Sequence, residues 1–153
     1  MSTRKLLIAV WCATSALSVV AADRIQTTGA MEKPKRLAFD TLKKWTYIEG
    51  KTKIPDFIQK LDGQVVEMTG YMSAPDTADD IHDFVLVPSL WGCCYGQPPV
   101  PNHVVLVKVR KGLKTAYYEK PLIVRGRFRV GEERIEGDLI SLYRLEADEI
   151  KIK

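Results

Sequence analysis

Cys93 and Cys94 stand side by side in the run Trp91-Gly92-Cys93-Cys94-Tyr95-Gly96-Gln97-Pro98-Pro99-Val100-Pro101-Asn102-His103, and their thiols are the most reactive groups the chain offers. Thiolate sulfur is a nucleophile, is easily oxidised, and binds soft and borderline metals such as zinc. The chain has only two histidines. His82 precedes Cys93 by eleven residues and His103 follows Cys94 by nine. Trp91, Tyr95, Pro99, Pro101 and Asn102 frame the cysteines as a proline-stiffened loop with aromatic walls.

Three chemical states are open to the pair. A disulfide between neighbours must bridge a Cα separation of about 3.8 Å across a trans peptide, below the usual range of about 4.4–6.8 Å. Such a bond is strained and readily reduced, and Gly92 and Gly96 supply the backbone freedom it needs. In the second state Cys93, Cys94, His82 and His103 form a four-ligand set for zinc or another soft transition metal. Adjacent residues of an extended chain point to opposite faces, so both sulfurs reach one ion only if the loop is kinked. The third state is structural, with one sulfur packed as a small hydrophobe and the other a shielded thiol. In an oxidising compartment neighbouring thiols tend to pair, which ranks the disulfide first at rest, with metal binding by the reduced pair as its function.

Cysteine–histidine catalysis needs in addition an orienting third group and an oxyanion hole, and the sequence identifies neither. The expected function is therefore that of a non-enzymatic binding protein; the alternative is a thiol–disulfide redox protein. Asp76, Asp79, Asp80 and Asp83 surround His82, but their spacing is not that of a calcium loop, and a solvated turn accounts for them equally well.

The compartment follows from the first two dozen residues. Arg4 and Lys5 open the chain, an uncharged, mostly apolar run covers Leu6 to Ala21, and the small residues Val20 and Ala22 fit a signal-peptide cleavage site. Residues 1–22 are read as a signal peptide and the mature protein as periplasmic. The run is diluted by Thr14, Ser15 and Ser18 and falls short of the roughly 20 apolar residues of a bilayer span, so no membrane association is expected after cleavage. Cys12 leaves with the signal, and Trp11 before it does not suit a lipid-attachment site. Cleavage removes two of the positive charges behind a formal net charge of +4. The alternating arginines Arg125, Arg127 and Arg129 then read as the solvated face of a strand, and no nucleic-acid partner is expected.

Residues 23–35 hold little that could build a core and read as a mobile tail. From residue 36 to 153 the pattern is that of one domain. Asp40 is placed to cap a short helix with Leu42 and Trp45 on one face, and Pro55 to start a second over Asp56–Leu61, burying Phe57, Ile58 and Leu61. Period-two alternation then marks five strands: Gln64–Met72, Asp83–Val87, Val104–Val109, Leu122–Val130 and Leu139–Ile152. Gly70 and Gly126 fall inside strands and are read as bends or bulges. Val66, Met68, Phe84, Leu86 and Val107 are the expected core. One or two short helices before five short strands suit a mainly β, small five-stranded OB-like barrel, because closure hides strand edges. A flattened sandwich or an open roll is the alternative.

The segments Trp45–Pro55, Gly63–Met72 and Phe84–Pro88, then Cys93-Cys94 and Pro99-Val100-Pro101-Asn102, resemble the bacterial envelope family catalogued as domain of unknown function 3299. The double cysteine with the proline–asparagine segment is the most specific part of that likeness. The resemblance implies an exported, OB-related small domain, often encoded near transporter components and in some bacteria within zinc-responsive gene groups. It implies no known reaction. An envelope protein or transporter component is the partner it points to.

Overall fold

A computed structural model describes residues 33–73, 77–90 and 100–153. Cys93, Cys94, Trp91, Tyr95, Pro99 and Asp76, the signal segment and nearly all of the expected tail lie outside the described residues. Six strands form the sheet: β1 (Lys35–Arg36), β2 (Val65–Met72), β3 (Asp83–Val87), β4 (Val105–Val109), β5 (Leu122–Ile135) and β6 (Asp138–Ile152). Two one-turn helices, α1 (Phe39–Leu42) and α2 (Asp56–Gln59), precede β2, and a 3₁₀ turn over Pro101–His103 leads into β4.

The strand order is β1-β2-β3-β4-β6-β5, and β2 pairs β5 as well, so the sheet closes on itself in a barrel-like ring. All pairings within the ring are antiparallel except β4 with β6, which run parallel. The seam between β2 and β3 is short, from Tyr71↔Val87 to Met72↔Leu86. β1 lies parallel on the same side of β2 at Val66 and Glu67 and extends the ring where β3 does not reach. The β2–β5 ladder closes the sheet, which an open roll would leave open.

Alternation drives this arrangement. Along β2, Val66, Met68 and Met72 point inward and are fully buried, as are Val105 and Val107 of β4 and Val124 and Phe128 of β5. Phe84 and Leu86 join them, and Tyr143 and Leu145 of β6 complete the core. Gly126 sits at a register shift between Arg125 and Gly126, the expected bulge. A Cβ there would lie 2.0 Å from the Glu146 carbonyl oxygen, so the two strands approach too closely for any side chain.

Several local expectations are corrected. Gly70 is not a bulge; it sits in an unbroken ladder opposite Leu122, and its bare Cα makes room for the Phe39 ring and the Val87 carbonyl. Helix α1 starts after Ala38, without a side-chain cap, and its buried pair is Phe39 and Leu42 rather than Leu42 and Trp45. Helix α2 follows Pro55 as expected but ends at Gln59, and Phe57 is 44% exposed while Ile58 and Leu61 are buried. One turn of helix has a single core-facing side, and Ile58 takes it. β1 forms at the end of the segment read as tail, because Glu67 offers main-chain pairing there: the Leu37 N–H donates to the Glu67 carbonyl at 2.9 Å. β5 runs five residues further than expected, continuing the β5–β6 hairpin through two more register shifts.

Candidate functional site at the end of the β3–β4 hairpin

β3 ends at Val87 and β4 begins at Val105 at one end of the β3–β4 pair, and side chains at that end make hydrogen bonds to residues distant in sequence. Pro101 opens the 3₁₀ turn with its φ already set, and the His103 N–H closes it on the Val100 carbonyl at 2.7 Å. Asn102 is fully buried, and its side-chain Nδ2 donates to the Trp45 carbonyl at 2.8 Å. That contact fixes the amide orientation, since the reverse would set two acceptors against each other. Asn102 Oδ1 has no hydrogen-bond partner among the described residues.

Trp45 is engaged at its other end too. Its indole N–H donates to the hydroxyl of buried Tyr143 at 3.1 Å. Tyr143 stacks on Phe128 with ring centroids 5.5 Å apart, and burial pushes its phenol up to about 12, because the phenolate would lose its water. Buried Ser141 donates to the Val104 carbonyl at 2.8 Å and accepts from the Tyr143 N–H at 3.0 Å. The 3₁₀ turn is thus tied to the segment after α1 and to β6.

His103 is partly buried at the base of this turn. Its imidazole is held below the usual 6.5, first by desolvation and then by the positive charge of Lys43. The neutral ring is the form that ligates a metal or accepts a proton.

The two histidines are not neighbours. His82 precedes β3, and its carbonyl accepts the Val109 N–H at 2.8 Å, at the far end of β4. His103 lies before Val105, the first residue of β4, and the four strand steps from Val105 to Val109 at about 3.3 Å each put roughly 13 Å of strand between the two histidines. The described structure does not bring His82 and His103 together, and the cysteines of the expected set Cys93, Cys94, His82 and His103 lie outside the described residues. Of the two, His103 lies at the end of the pair where β3 stops at Val87 and β4 begins at Val105. Among the described residues, no three histidine, cysteine or acidic side chains gather as a metal site. Asp80 beside His82 is spoken for: it pairs with Lys114 at 2.6 Å, and that hydrogen bond, foremost, lowers its carboxyl below the usual range.

The alternating arginines face solvent and are occupied by neighbours on the sheet. Arg125 bridges Glu67 at 2.6 Å and Glu149 at 2.9 Å, Arg129 reaches Glu146 at 3.4 Å, and Arg127 donates to the Gly63 carbonyl at 2.7 Å. The exposed pairs of Arg125 with Glu149 and Arg129 with Glu146 add little stability each, whereas the Glu67 carboxylate is largely buried beneath Arg125.

Residues 17–152 match the family described as Protein of unknown function (DUF3299). The chain belongs to this family. The structure of this family member is similar to the crystal structure of a DUF3299 family protein from Pseudomonas aeruginosa PAO1, with a TM-score of 0.61 and 22% identity over 80% of this chain and 97% of that one. Lower likenesses run to the telomere capping protein Ten1 from S. pombe (TM-score 0.37, 11% identity, 78% of this chain and 81% of that one) and to the S. pombe Stn1–Ten1 complex (0.38, 12%, 79% and 77%). Among curated proteins none matches the chain.

Trp45, Ser141 and Tyr143 did not stand out in the sequence as parts of this end of the molecule. Their partners lie 57, 37 and 98 residues away, and no spacing rule links them. The one available hint was compositional: a tryptophan in a short polar connection is costly unless its ring and N–H are both used.

Proposed function

We propose that this family member is an exported, non-enzymatic accessory protein that binds a soft transition-metal ion such as zinc through Cys93 and Cys94 together with His103, working beside an envelope transporter component. The observation that supports the reading is the placement of His103, its proton affinity lowered by desolvation, on a turn that Asn102 and Ser141 tie to the core, in the chain connection between β3 and β4 whose sequence carries the cysteines. A fixed imidazole costs little to ligate, whereas a solvated histidine would first be ordered, and the lowered proton affinity of His103 makes a competing proton easier to displace. Three protein ligands leave a fourth zinc position for water or a partner's side chain, which suits a carrier better than a closed structural site.

The test is zinc titration of the reduced, mature protein by calorimetry in two buffers of different ionisation enthalpy. One ion should bind with release of protons, because thiols deprotonate to ligate. His103→Ala should weaken binding at least tenfold and His82→Ala should leave it unchanged. Equal affinities for the two variants would sink the reading. The redox alternative is checked on the same preparation before reduction: protein from the envelope that is lighter by two protons, that binds no zinc after reduction, and whose thiols exchange rapidly with glutathione would be a thiol–disulfide protein.

A further inference from the structure

A second surface lies at the end of the barrel-like sheet where β4 stops at Val109. β4 stops pairing with β6 at Val109↔Ala147, and the last bond of that ladder runs from the Arg110 N–H to the Ala147 carbonyl at 3.1 Å. β6 itself continues to Ile152, paired on its other side with β5 through Leu122↔Ile152 and Val124↔Ile150. The Lys153 N–H donates to the Pro121 carbonyl at 2.9 Å. Main-chain groups alternate sides along a strand, so Lys153, Lys151 and Glu149 address β5 while Ile150 and Ile152 address the opposite side. Among the described residues, no strand pairs with that side.

The edge borders a half-open cleft. It forms one wall of this cleft, whose volume of about 530 Å³ is within the range of roughly 300–1,000 Å³ typical of ligand sites. The opposite wall is the segment Leu113–Ala116, itself fixed by the Ile81↔Thr115 bridge, with the Ile81 N–H donating to the Thr115 carbonyl at 2.9 Å. Val109, Ala147 and Ile150, all packed on the core, make an apolar floor, and Leu113 and Ile152 remain 38% and 49% exposed at its sides. The charges at the rim are paired: Lys114 with Asp80 at 2.6 Å, Arg110 with Asp148 at 3.1 Å and Lys151 with Glu149 at 2.5 Å.

We infer that this cleft binds a single extended peptide segment of a partner protein, which adds to β6 as a short extra strand. The two main-chain rungs at Ile150 and Ile152, unpaired among the described residues, repeat about every 6.8 Å and are matched by another extended backbone. The apolar floor selects an aliphatic side chain at alternate positions, and the balanced rim favours an uncharged segment over a strongly acidic or basic one. The wall at Leu113–Ala116 decides between one strand and a whole sheet: the edge of a second copy would bring its own β5 behind its β6 and meet that wall. The same wall and the paired charges shield the edge from indiscriminate association.

The probe is a fluorescein-labelled, N-acetylated peptide Thr-Val-Thr-Ile-Thr-Val-Thr, followed by anisotropy and by amide chemical shifts of the full mature protein. Saturable binding is expected, with shifts concentrated in residues 113–116 and 149–153. Ile150→Pro removes one main-chain donor on the free side and should weaken binding at least tenfold; proline is tolerated on an edge whose N–H is unpaired. Leu113→Trp fills the cleft from the exposed wall and should block the peptide while leaving the urea midpoint unchanged, which keeps the test sound if the proline variant folds poorly. Three results would overturn the inference: no saturable binding to the native protein at millimolar peptide, undiminished binding to Leu113→Trp, or a dimer in solution that protects the amides of residues 149–153.

Discussion

Asn102 and Trp45 are joined by one bond, Nδ2 to main-chain carbonyl at 2.8 Å, across 57 residues of chain. Through it the turn that precedes β4 and the connection that follows α1 hold each other in place. Because Trp45 also reaches Tyr143, the bond links three elements that are distant in sequence.

Asn102→Ala should leave the Trp45 carbonyl without its donor in a buried setting, at a cost of about 1–3 kcal/mol. Asn102→Asp should cost more, since it places an unpaired carboxylate against a carbonyl oxygen. Urea unfolding of the two variants beside the native protein measures both. A midpoint unchanged by either would show that the bond is not a structural tie.

Tyr143 gives a pH dependence of known sign. Its phenol is raised from 10.0 to about 12 in the folded protein, so the folded state keeps a proton that the unfolded state has lost. Stability from this group is complete below pH 10 and falls as pH rises toward 12. Ultraviolet titration should show one tyrosine ionising after the rest, and Tyr143→Phe should abolish that last step. At neutral pH the same variant leaves the Trp45 indole N–H without an acceptor, a loss of about 1–3 kcal/mol if it stays dry.

Gly126 and Gly131 lie in the same strand and should respond in opposite ways. Gly126→Ala drives a Cβ to 2.0 Å from the Glu146 carbonyl oxygen, a backbone contact that cannot swing away, so severe destabilisation or failure to fold is expected. Nothing lies within 4 Å of a Cβ at Gly131, and Gly131→Ala should be neutral or gain up to about 1 kcal/mol by restricting the unfolded chain. Thermal melts of the two variants make the comparison, and similar losses in both would contradict the strand approach at Gly126.

Val107 is fully buried at the centre of β4. Val107→Asp puts a charge where no partner exists, a cost of several kcal/mol against a total stability of about 5–15 kcal/mol. Circular dichroism should show loss of the cooperative β transition. A folded variant of native stability would mean that β4 does not face the core.

The alternation of apolar residues was enough to locate β2, β3, β4 and the two long strands to within a few residues, because a period of two is a property of neighbours and is read without knowing what the strand pairs with. The same local logic marked Gly126 as a bulge and Pro55 as a helix start. It failed where one helical turn had to choose a face, as at Phe57, and where pairing across the ring created structure, as at β1 and the extension of β5. The chemistry divides along the same line. That Cys93, Cys94, His82 and His103 could ligate a metal is written in their side chains; that His82 and His103 sit at opposite ends of one hairpin is decided by the Asp83↔Lys108 to Leu86↔Val105 register. Spacing along the chain places the histidines eleven and nine residues from the cysteines, but the length of β4 sets about 13 Å of strand between them. Only the closed sheet, with β4 shorter than β6 beside it, could reveal the unpaired edge at Ile150, because an unused main-chain bond leaves no trace in the identity of the residue that carries it.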